Sequence, residues 1–329
     1  MLKLRENVQR VNRPDEYSSL WFEDEPYRGK RERSMVLVLR TSGCFWFKSG
    51  GCTMCGYYSD TNPTKVNFEN IKKQVDSAFE KYNNEKIVKI YNSGSFFDQN
   101  EIPIEGARYI LKKFENAERI IVESRPEFIR DKIIKNFIDY KEKLMVAIGL
   151  ESSNDEILRY SINKGFSVIE YIRAAEYLKS IDVPLKTYVL LKPPFLTERD
   201  ATEDAIKSAI FASKYSEIVS LNPVNIQRGT VVEYLWQKGY YRSPWLWSVV
   251  EVLKKTAFTK KVVSFPTAPG KERGAHNCGK CDDYVIKAIE EFSFSQDENI
   301  LYNIKPCACL EKWKKIIDIE DLSLVTIKT

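Results

Sequence analysis

A repeat constrains this chain more than any other feature. Six apolar runs rich in β-formers, at residues 35–39, 87–91, 119–123, 145–150, 185–191 and 217–221, alternate with segments of helical period at 68–82, 104–114, 127–140, 168–180 and 199–215. Strand followed by helix at a spacing of about thirty residues is the pattern of βα units on a parallel sheet. Parallel strands are covered on both faces by their crossover helices, so unbroken apolar runs are what such strands require. The sheet either closes as a barrel or stays open and doubly wound, and functional residues gather at the C-terminal strand ends in both cases. Asn67 is placed to cap the first of these helices. No capping box is expected, because Asn70 rather than Glu or Gln stands three residues later.

The residues that carry chemistry stand at those strand ends. The first strand runs into a glycine-rich loop that holds Cys44, Cys52 and Cys55 in a C-x7-C-x2-C array. Three thiols on one polar loop suit a metal centre better than packing, and iron–sulfur clusters are held by cysteine thiolates. Three buried free thiols, or a zinc loop that borrows a ligand from elsewhere, are the alternatives that spacing alone leaves open. The second strand leads to Asn92-Ser-Gly-Ser95, the third to Glu123-Ser-Arg-Pro126 and the fourth to Glu151-Ser-Ser153. The fifth leads to Leu191-Lys-Pro-Pro194 and the sixth to Asn222-Pro-Val-Asn225. Asn92 to Ser95 would read as an ordinary turn elsewhere, and Glu123 with Arg125 as a rim ion pair. Convergence on one end of a barrel favours a shared pocket.

Composition excludes several classes. The chain is 43% hydrophobic and 29% charged, with no apolar run of membrane-spanning length, so a globular cytoplasmic protein is expected. The N-terminal residues lack the apolar core of a secretion signal. Seven cysteines fit a reducing compartment and metal binding better than a disulfide framework. A net charge of +5 is compatible with a nucleic-acid partner without demanding one. The lysine groups 254–255, 260–261 and 312–315 read as solvated faces. His276 is the single histidine, which rules out chemistry needing several imidazoles.

After residue 229 the repeat fades. Residues 230–257 read as helical and aromatic, with Trp236, Trp245 and Trp247 as core or interface residues, and 262–265 as a further strand. Cys278-x2-Cys281 and Cys307-x-Cys309 then precede a helix at 310–317. Two cysteine pairs satisfy a tetrahedral zinc. An auxiliary iron–sulfur cluster is the rival, and His276 is a possible substitute ligand.

These strand-end motifs resemble those of the radical S-adenosylmethionine (SAM) superfamily over residues 35–229. The resemblance implies a [4Fe–4S] cluster on Cys44, Cys52 and Cys55, whose fourth iron chelates SAM. Reductive cleavage of SAM would give an adenosyl radical that abstracts a substrate hydrogen. It also implies that Ser93, Gly94 and Ser95 meet the methionine amino group, and that Glu123 and Arg125 face the ribose and methionine end. Glu151 and Ser153 match the strand-four motif. Lys164 stands where relatives carry arginine, and Leu191 lies beside the adenine.

The long C-x7-C-x2-C spacing departs from the commoner C-x3-C-x2-C and matches the branch resembling the Elongator catalytic subunit, while Met54 replaces the usual aromatic before the last cysteine. Within that branch Arg40-Thr-Ser-Gly-Cys44, Gly50-Gly-Cys-Thr-Met-Cys-Gly-Tyr-Tyr58 and Asn92-Ser-Gly-Ser-Phe-Phe-Asp98 are similar to the radical SAM lyase family of archaeosine synthesis. That family implies a tRNA substrate carrying a lysine adduct of 7-cyano-7-deazaguanine, a partner subunit that attaches the lysine, and an electron donor. Its reaction breaks the lysine C–N bond, the hydrogen being taken from the carbon beside the amidine nitrogen.

The expected architecture is therefore α/β: an N-terminal arm or helix at 1–33, a partial (βα)6 TIM-like barrel at 34–229, and a helical, cysteine-bearing extension at 230–329. Two rival functions are radical chemistry on another tRNA base or a protein, and a zinc-dependent RNA-binding module without catalysis.

Overall fold

The apolar runs assemble into one eight-stranded sheet whose spatial order follows the chain. The strands are β1 (Ser19–Tyr27), β2 (Lys30–Val38), β3 (Ile87–Tyr91), β4 (Arg119–Glu123), β5 (Leu144–Glu151), β6 (Leu185–Leu191), β7 (Ile218–Pro223) and β8 (Val262–Val263). All neighbours from β2 to β8 pair in parallel, and β1 pairs antiparallel with β2. The sheet curls as a half-barrel. This is a computed structural model, and it describes residues 10–259 and 261–320, together with Leu4 and Val8.

Helices α1 (Phe68–Phe79), α2 (Ile104–Lys113), α3 (Val168–Ser180) and α4 (Glu198–Ala212) cover the convex face. Their apolar stripes, including Ile71, Val75, Ile110, Leu111, Tyr171 and Ala205, close over Leu37, Ile90, Val122, Ile148 and Val189 in the main core. The extension follows as α5 (Val231–Gln237), α6 (Leu246–Thr256), α7 (Asp282–Ser295) and α8 (Ala308–Ile319). Trp245 and Trp247 are buried in the same core, which joins extension and barrel. Trp236 lies under the Arg273 guanidinium, 4.6 Å from the ring centre. Among the described residues no helix is long and apolar enough to cross a membrane.

Three local expectations need correction. Residues 19–33 are not an arm or helix: they form β1, the turn and the start of β2. Residues 1–3, 5–7 and 9 lie outside the described residues, as does Lys260. Arg28 and Gly29, both at positive φ, make the two-residue turn that the right-handed twist of a hairpin prefers. The expected helix at 127–140 is broken into a 3₁₀ turn at Pro126–Phe128, one helical turn at Asp131–Ile134 and a 3₁₀ stretch at Lys135–Tyr140. There the Asn136 side-chain amide donates to the Ile133 carbonyl over 2.8 Å, competing with the helical ladder. The α1 capping box does exist. The Asn70 side chain accepts from the Asn67 N–H at 2.9 Å while Asn67 accepts from Asn70 N–H at 3.0 Å, so asparagine serves where Glu or Gln is usual.

Candidate active site and metal centre

The concave face encloses a cavity of about 670 Å³ that runs from the C-terminal strand ends to β1. It brings together Cys44, Cys52, Cys55, Ser93, Gly94, Glu123, Arg125, Glu151 and Lys164, residues far apart in sequence. Ser95, Ser153 and Leu191 do not line it. Ser95 is buried beneath the loop that carries Ser93, and the Ser153 N–H donates to Ser208 Oγ on α4 at 2.7 Å. Leu191 belongs to the convex core, and its neighbour Leu190 faces the cavity. Met54 also lines the cavity.

The cysteine loop is fastened from three sides. Residues 45–48 form a helical turn, and Trp46 Nε1 donates to the Asn163 carbonyl at 2.8 Å. Asn163 Nδ2 returns a bond to the Gly51 carbonyl at 2.8 Å. Gly165 lies at φ +76°, and a Cβ there would stand 2.3 Å from the Trp46 ring, so the x7 insertion and the Asn163-Lys-Gly165 segment fit only as a pair. The Thr53 N–H donates to the Ile162 carbonyl, and Gly56 N–H to Gln227 Oε1 at 2.6 Å. Outside, the Phe47 and Tyr58 rings stack at 3.8 Å, and Arg10 lies over Tyr58 at 4.1 Å. Burial pushes the Cys44 thiol up to about 11, with Arg125 opposing it. A bound metal deprotonates a coordinating thiol outright.

The loop after β3 is organised by Glu101, which sequence reading missed. This carboxylate is 1% exposed. It accepts from the Ser95 N–H at 2.9 Å, Asn92 Nδ2 at 2.9 Å and Thr41 Oγ1 at 3.2 Å. A Cβ on Gly94 would meet Glu101 Oε2 at 1.9 Å, so glycine is required by close approach. Thr41 immediately precedes the cysteine loop and accepts from the Gly43 N–H, so one buried acid sets both loops. Ser93 after β3, Glu151 at the end of β5 and Lys192 after β6 hold left-handed backbone without being glycine. Such strain clusters at functional sites.

Glu151 and Lys164 form an ion pair at 2.7 Å on the cavity wall. Burial works against the Lys164 ammonium, but Glu151 and Cys52 outweigh it and hold its pKa above the usual range. Burial pushes the Glu123 carboxyl up to about 7, against a hydrogen bond from Tyr188. The Arg125 fork is committed to Glu127 at 2.5 Å and to the Lys164 carbonyl at 2.9 Å, with Phe166 beneath it at 5.0 Å. Arg125 thus ties the strand-three motif to the Lys164 segment while one side of it borders the cavity.

Comparisons with known proteins give the family. The radical SAM superfamily model matches residues 38–205. Archaeosine synthase subunit beta of Methanosarcina acetivorans is 36% identical, over 99% of this chain and 97% of that protein. The protein of the same name from Thermococcus kodakarensis is 39% identical, over 93% of this chain and 99% of that one. The chain belongs to the archaeosine synthase subunit beta family of radical SAM proteins. A solved structure of Elp3 from Methanocaldococcus infernus is 18% identical with a TM-score of 0.46, covering 60% of this chain and 51% of that one.

Radical SAM membership implies a [4Fe–4S] cluster and SAM, and the donor set can be tested against both. The three thiols face one cavity. Among the described residues, however, only the C-terminal cysteines gather their sulfurs within 4.8 Å of one another. Three thiols on one loop suit a multi-iron body, which cysteine thiolates hold. For SAM the cavity supplies carboxylates, cations and the loop edge at Ser93 and Gly94, a set suited to a zwitterionic nucleoside.

The four C-terminal cysteines form a second, tighter candidate centre. Cys278 and Cys281 sulfurs lie 3.9 Å apart, Cys278 and Cys307 3.7 Å, and Cys281 and Cys309 3.5 Å. Bonds of about 2.3 Å to a tetrahedral zinc require sulfur separations of about 3.8 Å. The donors therefore fit one tetrahedral ion. Trp247 Nε1 donates to Cys309 at 3.2 Å and Asn277 Nδ2 to Cys281 at 3.3 Å, as outer-shell groups do for thiolates. His276 is not part of the set; its Nδ1 meets the Gly274 carbonyl at 2.8 Å.

Proposed function

We propose that this protein is a radical SAM lyase of tRNA modification. Its substrate would be the lysine adduct of 7-cyano-7-deazaguanine in the tRNA D-loop, and its product the formamidine of archaeosine. The observation that carries the reading is the near full-length likeness to proteins named archaeosine synthase subunit beta. The shared cavity that joins the cysteine loop to the strand-end polar groups is consistent with it. The word subunit in that name motivates a partner, read here as the protein that transfers lysine to the tRNA.

The residue roles proposed are those the family resemblance implies, and the cavity is consistent with most of them. Cys44, Cys52 and Cys55 would hold the cluster, which with SAM and one electron from a donor supplies a carbon radical able to take a hydrogen atom. Ser93 and Gly94 would meet the methionine amino group at the cavity edge, with Ser95 and Glu101 holding that loop behind them. Glu123 and Arg125 would face the ribose and methionine end. Glu151 and Lys164 would close the opposite wall, and Leu190, the cavity-facing neighbour of Leu191, would border the adenine. Tyr91, Tyr188 and Phe166 line the cavity and limit water around a reactive intermediate.

The test is anaerobic incubation of reconstituted protein with SAM, reductant and lysine-modified tRNA, with and without the lysine-transferring partner. Formation of 5′-deoxyadenosine, methionine and archaeosine in the nucleoside digest is expected. SAM cleavage with the lysine adduct left intact would remove the substrate assignment and keep the superfamily chemistry. No 5′-deoxyadenosine from protein with a full cluster spectrum would remove the enzymatic reading.

A further inference from the structure

The floor of the cavity is charged where a half-barrel interior is ordinarily filled by Val, Ile and Leu. Lys89 of β3 and Lys186 of β6 point into it, 3% and 4% exposed. Glu25 of β1 stands between them at 4% exposure, and Glu23 lies one pleat along the same face. Lys186 Nζ donates to Glu25 Oε1 at 2.9 Å, and this is its one hydrogen bond among the described residues. Lys89 Nζ bonds Glu25 Oε2 and, at 2.7 Å, Glu23 Oε1. Two ammonium groups and two carboxylates thus meet at one end of a cavity whose other end holds the cysteine loop.

As a purely structural device this cluster is expensive. Each buried ion loses several kcal/mol of hydration, and apolar residues of similar size commonly replace such groups with no loss of stability. Burial works against the Glu25 carboxylate, yet Lys186 and Lys89 outweigh it and hold its pKa at about 2. The floor therefore stays zwitterionic across the physiological range, with N–H donors on Lys186 to spare.

A zwitterionic floor matches a zwitterionic ligand. We propose that these residues receive the amino-acid head group of the substrate, Lys186 and Lys89 binding its α-carboxylate and Glu23 and Glu25 its α-ammonium. The inference rests on the lysine-adduct reading above and deepens it. Lys89 lies two residues, about 7 Å, below Tyr91 on β3. The methylene chain of a lysine would run along that wall, leaving its amidine-bearing carbon near the strand ends and its head group on the floor. Lysine would then be chosen over a simple alkylamine by the two charges at its far end.

The test uses small probes on the purified full chain. Nε-acetimidoyl-L-lysine carries both the amidine and the head group, and N-acetimidoyl-cadaverine lacks the carboxylate. Calorimetric titration should show the lysine probe binding at least about tenfold more tightly, the range expected for one charge-assisted hydrogen bond. In Lys186→Met, and in the paired Glu25→Gln/Lys186→Gln variant, that preference should fall to near unity. The paired variant removes both charges together, so no unmatched buried carboxylate is left to unfold the chain, and circular dichroism checks both variants. Equal affinity for the two probes, binding of neither at millimolar concentration, or a preference kept in the folded paired variant would overturn the proposal. Turnover of lysine-modified tRNA is measured separately. Turnover without probe discrimination defeats this inference alone, whereas discrimination without turnover defeats the tRNA assignment and leaves an amino-acid site.

Discussion

The Ser95 N–H donates to Glu101 Oε1 over 2.9 Å, and the other oxygen of the same carboxylate accepts from Asn92 and Thr41. One acid at the edge of α2 thereby holds the loop after β3 and the residue that opens the cysteine loop. Glu101→Ala should cost about 2–4 kcal/mol by leaving these buried donors unpaired, and weaken SAM binding to the reconstituted protein. Gly94→Ala alone should also destabilise, by about 1–3 kcal/mol, because its Cβ would overlap that carboxylate. In the double variant the added cost of Gly94→Ala should shrink, since the atom it strikes is gone. Urea melts of the four proteins check the cycle; strict additivity would mean that the two residues do not press on one another.

Asp204 on α4 accepts from Ser152 Oγ at 2.8 Å, and its other oxygen is buried with no hydrogen-bond partner among the described residues. Burial pushes this carboxyl from 3.8 up to about 6, against the Ser152 hydrogen bond. A raised acid binds its proton more tightly in the native state, so its contribution to stability is complete below pH 3.8 and is lost as pH rises through 6. Asp204→Asn should abolish that slope and be the more stable form at pH 7.5, by about 1–3 kcal/mol. Denaturation at pH 5 and pH 7.5 reads both effects. A variant less stable than wild type at pH 7.5 would show that the carboxylate is matched there.

Lys192 and Glu198 are nearly inaccessible and joined at 2.6 Å. Glu198 also accepts from the Trp245 N–H at 2.8 Å and from Ser248 Oγ, so the pair clips the extension to the end of β6. Burial works against the carboxylate, but Lys192 outweighs it and holds Glu198 below its ordinary pKa. Lys192→Met should cost about 3–5 kcal/mol by stranding a buried charge. Lys192→Met/Glu198→Gln should recover much of that loss, measured as melting temperature. No recovery would mean that the Glu198 contacts to Trp245 and Ser248, rather than the stranded charge, dominate the effect.

Cys52→Ala should remove the visible iron–sulfur absorbance and the formation of 5′-deoxyadenosine together, with far-ultraviolet circular dichroism unchanged. The loop keeps its fastenings through Trp46, Asn163, Thr53 and Gly56, none of which is a cysteine. Retention of a complete cluster spectrum in this variant would place the ligands elsewhere.

Much of the architecture was legible because parallel strands are apolar along their whole length. The runs at 87–91, 119–123 and 185–191 coincide with β3, β4 and β6. β1 escaped notice for the opposite reason. Its cavity-facing positions are Glu23 and Glu25, whose partners Lys89 and Lys186 lie more than sixty residues away, so an edge strand that seals the floor presents itself as charged surface. Glu101 escaped notice for another reason: its donors Asn92 and Ser95 are close in sequence, but a carboxylate in a polar loop carries no pattern that marks it as buried. The strand-end motifs located the cavity, but which member of each motif faces inward depends on the pleat. Leu190 rather than Leu191 therefore lines it, while Ser153 lies beyond the end of β5 and bonds to Ser208 on α4 instead.

The C-terminal cysteines bear on stability. Cys281 and Cys309 are buried while Cys278 and Cys307 lie nearer the surface, and all four sulfurs fall within 4.8 Å of one another. A cubane cluster needs corner sulfurs set wider apart, so this centre should hold one zinc ion. Protein lacking Cys44, Cys52 and Cys55 should then contain about one zinc per chain and no stoichiometric iron by elemental analysis. Cys309→Ser should lose that zinc and expose α7 and α8 to hydrogen exchange, because zinc binding and local folding are coupled there. The barrel strands, with their own core, should keep their protection. Stoichiometric iron in place of zinc in the cluster-free protein would reverse the assignment and make this an iron centre.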